Sequence, residues 1–483
     1  VNALSPPEAA KALVAIDLGA ESCRVSLLRW ENGLPKIALL HRIPNGPEDR
    51  HGNLHWPLDR ILDGMEDGLR LAAAAAPEGI RSIAVDGWAV DYVRLNPLGE
   101  PLHAPFCYRD ERTIAAKAKA DKRIAPEELF AISGAQPLRI NTVYQLLADN
   151  QAGIEARIPW LLLPEYILHT LGGRAVAEYT NATHTGLVDL RTGSWSPDIF
   201  KRLGLDLDAA PPIVPSGTVL GQLTGPLAEL PAFRDTWLIA PACHDTASAI
   251  AAVTADLSHT VYVVSGTWSL VGTVVDRPIH SPEAQRAGFT NQGEAAGGYC
   301  FHTNINGMWL IKQCLDHWRR AGRTIELPTL IEQAAQVREI PGILNVDAPS
   351  LLLAGNMPER INTELTLLGR QTVPDVPGAE PTFARLIFAS LAARYASAIE
   401  NVSRLTGRSF RQITILGGGS RNALLTQLTQ QATGLLVVAG EAEGSTLGNF
   451  AVQLAALEAA PGETPAASAI RGWATRLASP IAP

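Results

Sequence analysis

Long apolar runs are absent from this 483-residue chain. No uninterrupted stretch approaches the roughly 18 residues a membrane span needs, so no membrane partner is expected. Paired cysteines are absent too. The five cysteines, Cys23, Cys107, Cys243, Cys300 and Cys314, are odd in number and scattered, with no CxxC spacing. That pattern argues against a zinc cage and for free thiols in a reducing cytoplasm. Basic clusters are missing as well: the formal net charge is −8, which leaves no electrostatic footprint for DNA or RNA. An acidic chain can still bind an anionic nucleotide through local backbone amides and a metal ion. The opening VNALSPPEAAK has no basic segment followed by an apolar block, so no secretory signal is expected. Three chemical fingerprints are lacking: GxxxxGK[ST], a GxGxxG after the first strand, and the GxSxG elbow. Their absence counts against P-loop, Rossmann and serine-hydrolase readings.

What is present reads as globular α/β. Apolar residues make up 46% and charged residues 18%, over a length that suits about two to four domains. LVAIDLGAESCRVSLLRW, residues 13 to 30, predicts two strands around a turn of small and polar residues. Leu58, Ile61, Leu62, Met65 and Leu69 recur at helical spacing behind Pro57, in a segment that absorbs LAAAAA and closes at Pro77. SIAVDGWAVDY predicts another strand, with Asp86 and Asp91 bracketing Trp88. TVYVVSGTWSLVGTVV, residues 260 to 275, repeats the strand–turn–strand device, so two related domains facing one cleft are expected. ITILGGGSRNALLTQLTQQATG predicts a strand, a glycine turn and a helix with Leu424, Leu425, Leu428 and Ala432 on one face and Gly434 as C-cap. Residues 321 to 381 read either as an elaboration of the second domain or as a covering subdomain. CHDTAS, residues 243 to 248, follows an apolar strand and opens a small-residue run, as a helix N-cap does.

Four stretches set small residues just after a strand: Gly19-Ala20, Ser265-Gly266-Thr267, Gly417-Gly418-Gly419 and EGSTLGN at 443 to 449. Such turns let backbone N–H groups approach a phosphate, although each alone is more often structural. Asp17, at the end of the first strand, supplies the hard oxygen ligand that a phosphate-bound Mg²⁺ needs.

In order along the chain, AIDLGAESCRV, VDGWAVDY, YRDERT, EYTNATHTGLVDL, CHDTASA, YVVSGTWSLVG, FTNQGEAAGGY, NINGMWL, LGGGSRNALLTQL and EGSTLGN resemble the successive motifs of rhamnulokinases, within the FGGY carbohydrate kinase family. The resemblance runs from residue 15 to about 450 and is carried by the ordered set. It implies two actin-like (RNase H-like) domains with a cleft between them, an N-terminal domain over 1–255 and a C-terminal domain over 256–483. It also implies ATP- and Mg²⁺-dependent phosphorylation of a ketose, L-rhamnulose at its 1-hydroxyl, by a cytoplasmic enzyme, with the oligomeric state open.

Matched motif by motif, the first phosphate loop falls on Ala20, Glu21, Ser22, Cys23 and Arg24, and the second on Ser265, Gly266 and Thr267. A nucleotide contact falls on Gly418 and the neighbouring Gly419. The proton acceptor matches Asp245, with His244, Thr246 and Asn304 as sugar contacts, and Mg²⁺ is expected at Asp17 and Asp245. A carboxylate suits the chemistry because a sugar hydroxyl is a poor nucleophile at neutral pH. A capping position at a helix start is expected to keep that carboxylate ionised.

Three positions depart from the family pattern. Cys23 replaces a loop glycine. Ala89 replaces a glycine at the sugar, where a methylene-sized change carries roughly 1–3 kcal/mol of discrimination. Lys312 stands where a nucleotide-contacting Gln is common, and reads equally as a solvated helix charge. Trp88 and Asp91 are candidate sugar contacts or core. His302 and Asn306 flank Asn304. Arg109 and Asp110 are an ion pair or ligand contacts, and Met308, Ile311, Leu315 and Trp318 are packing. L-fuculose or another ketose is the nearest rival substrate. A sugar sensor or actin-like scaffold without catalysis is the rival of another class.

Overall fold

The structure is a computed structural model and describes residues 11–460 and 462–478. Two six-stranded sheets organise it. In the first, β1 (Ala12–Leu18) pairs antiparallel with β2 (Ser22–Glu31), which pairs with β3 (Leu34–Pro44). On its other side β1 runs parallel to β4 (Ile80–Gly87), then to β6 (Trp237–Ala240), with β5 (Thr218–Gln222) antiparallel at the edge. In the second sheet β7 (Thr260–Ser265) pairs antiparallel with β8 (Trp268–Val275). There β9 (Phe289–Gly293) and β10 (Tyr299–Asn306) extend the antiparallel side, and β11 (Gln412–Leu416) and β12 (Leu436–Ala439) the parallel side.

The orders β3-β2-β1-β4-β6 and β10-β8-β7-β11-β12 are the same path drawn twice, each with one added edge strand. The duplication expected from the two strand–turn–strand segments is therefore real at the level of topology, and the fold is the two-domain α/β arrangement that the motifs implied. β1 is buried at every position, as a strand covered on both faces must be.

Helices pack these sheets as their periodicity predicts. α1 (Leu58–Ala75) buries Leu58, Ile61, Met65 and Leu69 and ends before Pro77. α2 (Asp245–Ala251) follows the CHDTAS turn. Before α3 (Trp309–Arg320), Met308 joins Ile311, Leu315 and Trp318 in or against the second core. α4 (Glu380–Thr406) lies beneath the second sheet, and α5 (Ala423–Thr433) ends at Gly434 in the left-handed conformation. Ala432 departs from the predicted face and is exposed. Residues 321 to 381 carry the helices Leu327–Gln336 and Met357–Leu367. Their Leu330, Ala334, Ile361 and Leu365 share one core with Val261, Val263 and Phe388, so this segment elaborates the second domain.

The chain then returns. α6 (Gly444–Glu458) and α7 (Ala467–Ala478) pack on the first sheet, where Phe450, Ala451 and Trp473 join Leu13, Ala15, Leu28 and Ala247 in one cluster. All five cysteines are buried free thiols. Among the described residues no helix is long and apolar enough to cross a membrane.

Candidate active site

Parallel pairing brings the site together. Asp17 and Asp86 are register partners at the C-terminal ends of β1 and β4, and Gly87 bridges His244 just beyond β6. Asp17 and Asp245 therefore meet on one wall of a cleft of about 820 Å³ between the sheets, with Asp86 buried behind them. That volume falls within the range of small-molecule sites, about 300–1,000 Å³. The opposite wall carries Ser265, Gly266, Thr267, Asn304, Gly417 and Gly418.

Asp245 is the first residue of α2 rather than its N-cap; His244 holds the cap position and makes no side-chain capping bond. About a third of the Asp245 side chain (34%) remains open to the cavity. Burial, and then the charge of Asp17, push its carboxyl up to about 7, so the expectation that a helix start keeps it low is overturned by desolvation. Its Oδ1 accepts from Thr246 Oγ1 at 3.1 Å and lies 3.3 Å from His244 Nε2. That histidine contact is not an ion pair, because burial and the nearby His302 hold His244 down at about 3, in its neutral form.

The CHDTAS turn is fixed from behind by EYTNATHTGLVDL. Glu178 accepts the backbone N–H of Cys243 at 2.9 Å and also takes the Thr180 hydroxyl, whose oxygen accepts the His244 N–H at 3.2 Å. Glu165 in turn receives the Glu178 N–H at 2.9 Å, and burial pushes its carboxyl up to about 8. The His184 ring lies 3.9 Å from that of His244 and meets Gln292 of the second domain at 2.8 Å.

The first turn is set by Gly19, where a Cβ would sit 2.5 Å from the Ser22 carbonyl oxygen. Asn45 clamps it, donating from Nδ2 to the Gly19 oxygen at 2.9 Å and from its N–H to the Glu21 oxygen at 2.9 Å. Ala20, Glu21, Ser22 and Arg24 line the cleft, and Cys23 does not. Cys23 faces the core of the first domain at 0% exposure, because β2 alternates faces and sends residue 23 away from Ser22 and Arg24. Arg24 reaches Asp17 at 3.3 Å and Glu443 at 3.4 Å.

In the second domain Gly266, Thr267 and Gly418 line the cleft as expected. Gly417, at φ +76°, joins them in place of Gly419, whose hydrogen faces Ser265 so closely that a Cβ would overlap its Oγ. Lys312 pairs with Glu21 at 2.7 Å. Asn304 lines the cleft and its Oδ1 is buried without a partner.

DGWAVDY divides sharply. Val90, at φ +73°, is a β-branched residue in left-handed backbone, held by its carbonyl oxygen, which accepts from Thr142 Oγ1 at 2.7 Å and Gln145 Nε2 at 3.2 Å. Trp88, Ala89 and Val90 line the cleft. Asp91 does not: it is fully buried and accepts from Trp56 Nε1 at 2.6 Å, Trp88 Nε1 at 3.0 Å, Gln145 Nε2 at 2.9 Å and the Tyr108 N–H at 3.2 Å. Asp91 therefore positions Trp88 from behind the cleft wall.

His302 and Asn306 are likewise structural. His302 Nδ1 meets the Tyr262 hydroxyl at 2.9 Å, and Asn306 holds the Val346 and Leu351 carbonyl oxygens at 3.1 Å. Arg109 lies over the Trp309 ring, 4.8 Å from its centroid, while the Asp110 carboxylate takes the N–H groups of Leu54 and Arg112.

Three residues that the sequence reading passed over without a role of their own belong to the site, Glu443 and Ser445 in the cleft wall and Asp86 behind it. Asp86 is buried beside Asp17, accepts from Asn449 at 2.6 Å, and is pushed well up by burial and by Asp17. Ser445 donates to Asp17 at 2.7 Å, and Glu443 pairs with Arg24. The available signals were the Asp at the end of a second strand and the small-residue turn of EGSTLGN.

For a divalent cation the donor chemistry fits. Burial raises Asp17 and Asp86 as well as Asp245, and Asp86 Oδ1 is buried without a partner. Among the described residues no three His, Cys, Asp or Glu side chains form a direct metal cage, so a cation here would share its ligands with water and a phosphate.

Comparison with known proteins agrees with this geometry. The N-terminal domain model of the FGGY family of carbohydrate kinases matches residues 12–252, and the C-terminal domain model matches residues 261–457. The fold is similar to a xylulose kinase from Lactobacillus acidophilus (TM-score 0.75, 16% identity, covering 97% of this chain and 96% of that one). It is also similar to a gluconate kinase from the same organism (TM-score 0.76, 16% identity, 97% and 96%), and to a Plasmodium falciparum glycerol kinase with ADP (TM-score 0.74, 12% identity, 98% and 93%). With both domain models matched in order over most of its length, the chain belongs to the FGGY family of carbohydrate kinases.

Proposed function

We propose that this chain transfers the terminal phosphate of ATP to a ketose, L-rhamnulose at its 1-hydroxyl being the leading substrate, with Asp245 as general base. The observation that carries the proposal is Asp245 open to the cleft beside Asp17, with Asp86 buried behind them, and opposite the Ser265–Thr267 turn. The sugar hydroxyl gives its proton to the Asp245 carboxylate as its oxygen attacks the γ-phosphorus. The new O–P bond forms while the bond to the β-phosphate oxygen breaks, and ADP leaves. Such a base is worth about 10²–10⁴-fold. Amides of the Gly19–Ser22 and Ser265–Thr267 turns face the developing charge. Asp17 and Asp245, with Asp86 beside them, would hold Mg²⁺, which when bound neutralises phosphate charge. His244, Thr246, Asn304, Trp88 and Ala89 surround the sugar, and Gly418 and Lys312 the nucleotide.

The ordered motifs support rhamnulose. The Ala89 methyl on the cleft wall favours keeping L-fuculose and other ketoses in the same test, since a methyl trims a pocket built for a particular sugar. The reaction is expected to take place in the cytoplasm. ADP release should be measured with Mg-ATP and a panel of L-rhamnulose, L-fuculose, L-ribulose, D-xylulose and glycerol. Fastest turnover on L-rhamnulose is expected; turnover on none of them would leave a binding or scaffold role.

A further inference from the structure

One contact across the cleft is at odds with a site waiting for polyphosphate. Glu21, on the first turn, places Oε1 2.7 Å from Lys312 Nζ and 3.2 Å from Thr267 Oγ1, which donates to it. Both partners belong to the second domain. A carboxylate thus occupies the hydroxyl and the ammonium that an anionic ligand in this cleft would use, and it does so from one phosphate-binding turn to the other.

The surrounding charges leave Lys312 few other anions. Asp17 and Glu443 are engaged by Arg24, Arg42 reaches the Ser22 hydroxyl at 3.1 Å, and Asp347 is paired with Arg394 at 2.7 Å. Glu21 and Lys312 are half-exposed, at 47% and 43% of their side-chain surfaces. Exposed pairs of this kind contribute little to stability, so the contact can be exchanged at small cost. Apart from its contacts to Lys312 and Thr267, Glu21 is held through its backbone by the Asn45 clamp, so exchange of those two contacts releases its side chain.

We infer that Glu21 is a built-in competitor for the nucleotide's phosphates: its carboxylate stands in for a phosphate on Thr267 and Lys312, and nucleotide binding displaces it. Glu21 then acts as a determinant of nucleotide affinity. It weakens binding in proportion to phosphate charge and returns to Lys312 as the product leaves. The inference rests on the kinase reading above and extends it to how the chain releases ADP.

Calorimetric titration of ADP and of adenosine into the wild-type chain, Glu21→Gln, Lys312→Met and the double variant tests it. Glu21→Gln should tighten ADP about two- to five-fold, the span of an exposed ion pair, and leave adenosine unchanged. Lys312→Met should weaken ADP, and in that background Glu21→Gln should have a smaller effect, as coupled residues do. ADP affinity unchanged or weakened in Glu21→Gln overturns the inference. Equal tightening of adenosine also overturns it, because Glu21 would then act on cleft opening and not on phosphates. A wild-type chain that binds no ADP removes the kinase reading and this inference together.

Discussion

At the scale of single residues the site is built from groups that are costly to bury. Asp245 has a carboxyl raised from 3.8 to about 7, by burial first and Asp17 second. A group whose folded pKa is raised holds its proton more tightly in the folded state. Its contribution to stability is fully present below pH 3.8 and is lost as pH rises through about 7. Asp245→Asn removes the titration, so its melting temperature relative to wild type should rise between pH 5 and pH 8. A pH-independent difference would mean that Asp245 titrates normally. The same carboxyl must be ionised to accept a proton, so kcat/KM should climb with pH and level off above about 7. In Asp245→Asn, turnover should fall at least about a hundredfold with nucleotide affinity kept. Catalytic competence and stability therefore pull this residue in opposite directions above neutral pH.

At the scale of elements, two helices approach more closely than side chains permit. A Cβ on Gly448 of α6 would overlap the Ser248 carbonyl oxygen of α2, the helix that begins with Asp245. Gly448→Ala should therefore lower the urea midpoint, by roughly 1–3 kcal/mol of overpacking, and reduce turnover by moving α2. Gly472 in α7 has nothing within 4 Å of its added methyl, so Gly472→Ala should raise stability by about 0.5–1 kcal/mol through helix preference alone. Equal effects at both sites would mean that α6 and α2 are not in contact.

The elements were largely legible because their signals are local. The two strand–turn–strand segments, α1 behind Pro57, and α5 ending at Gly434 follow from periodicity and from glycine and proline placement. Which face of a strand meets the cleft was less legible. The alternation Ser22, Cys23, Arg24 contained the answer, yet a motif match alone put Cys23 in the loop. Asp91 could not be read, since a left-handed Val90 turns the chain between Ala89 and Asp91. The partnership of Asp86 with Asp17 depends on strand register, and that of Ser445 with Asp17 spans 428 residues of sequence. Neither follows from local pattern.

At the scale of the whole molecule the chain starts in one domain, crosses to the other and comes back. α6 leaves the second sheet and docks on the first, where Asn449 donates to Asp86 at 2.6 Å and Gln453 donates to the Val14 carbonyl oxygen at 3.0 Å and accepts from Ser82 Oγ at 2.6 Å. On the far side of the cleft Gln136 Nε2 donates to the Gln285 and Phe289 carbonyl oxygens at 2.8 Å, and the Gly293 N–H donates to Thr183 Oγ1 at 2.7 Å. The first sheet cannot cover Leu13, Ala15 and Leu28 without residues that follow the second sheet in sequence. Losing the second domain's tether to α6 therefore exposes the core of the first. Two domains of this size in one chain would ordinarily melt separately, but here unfolding should be one cooperative transition, with calorimetric and van't Hoff enthalpies in agreement. ADP at about 100 times its dissociation constant should shift that single transition upward as a whole, adding about 2.7 kcal/mol. Two resolved transitions, only one of them moved by ADP, would show that α6 does not weld the halves and that the cleft opens between independent bodies.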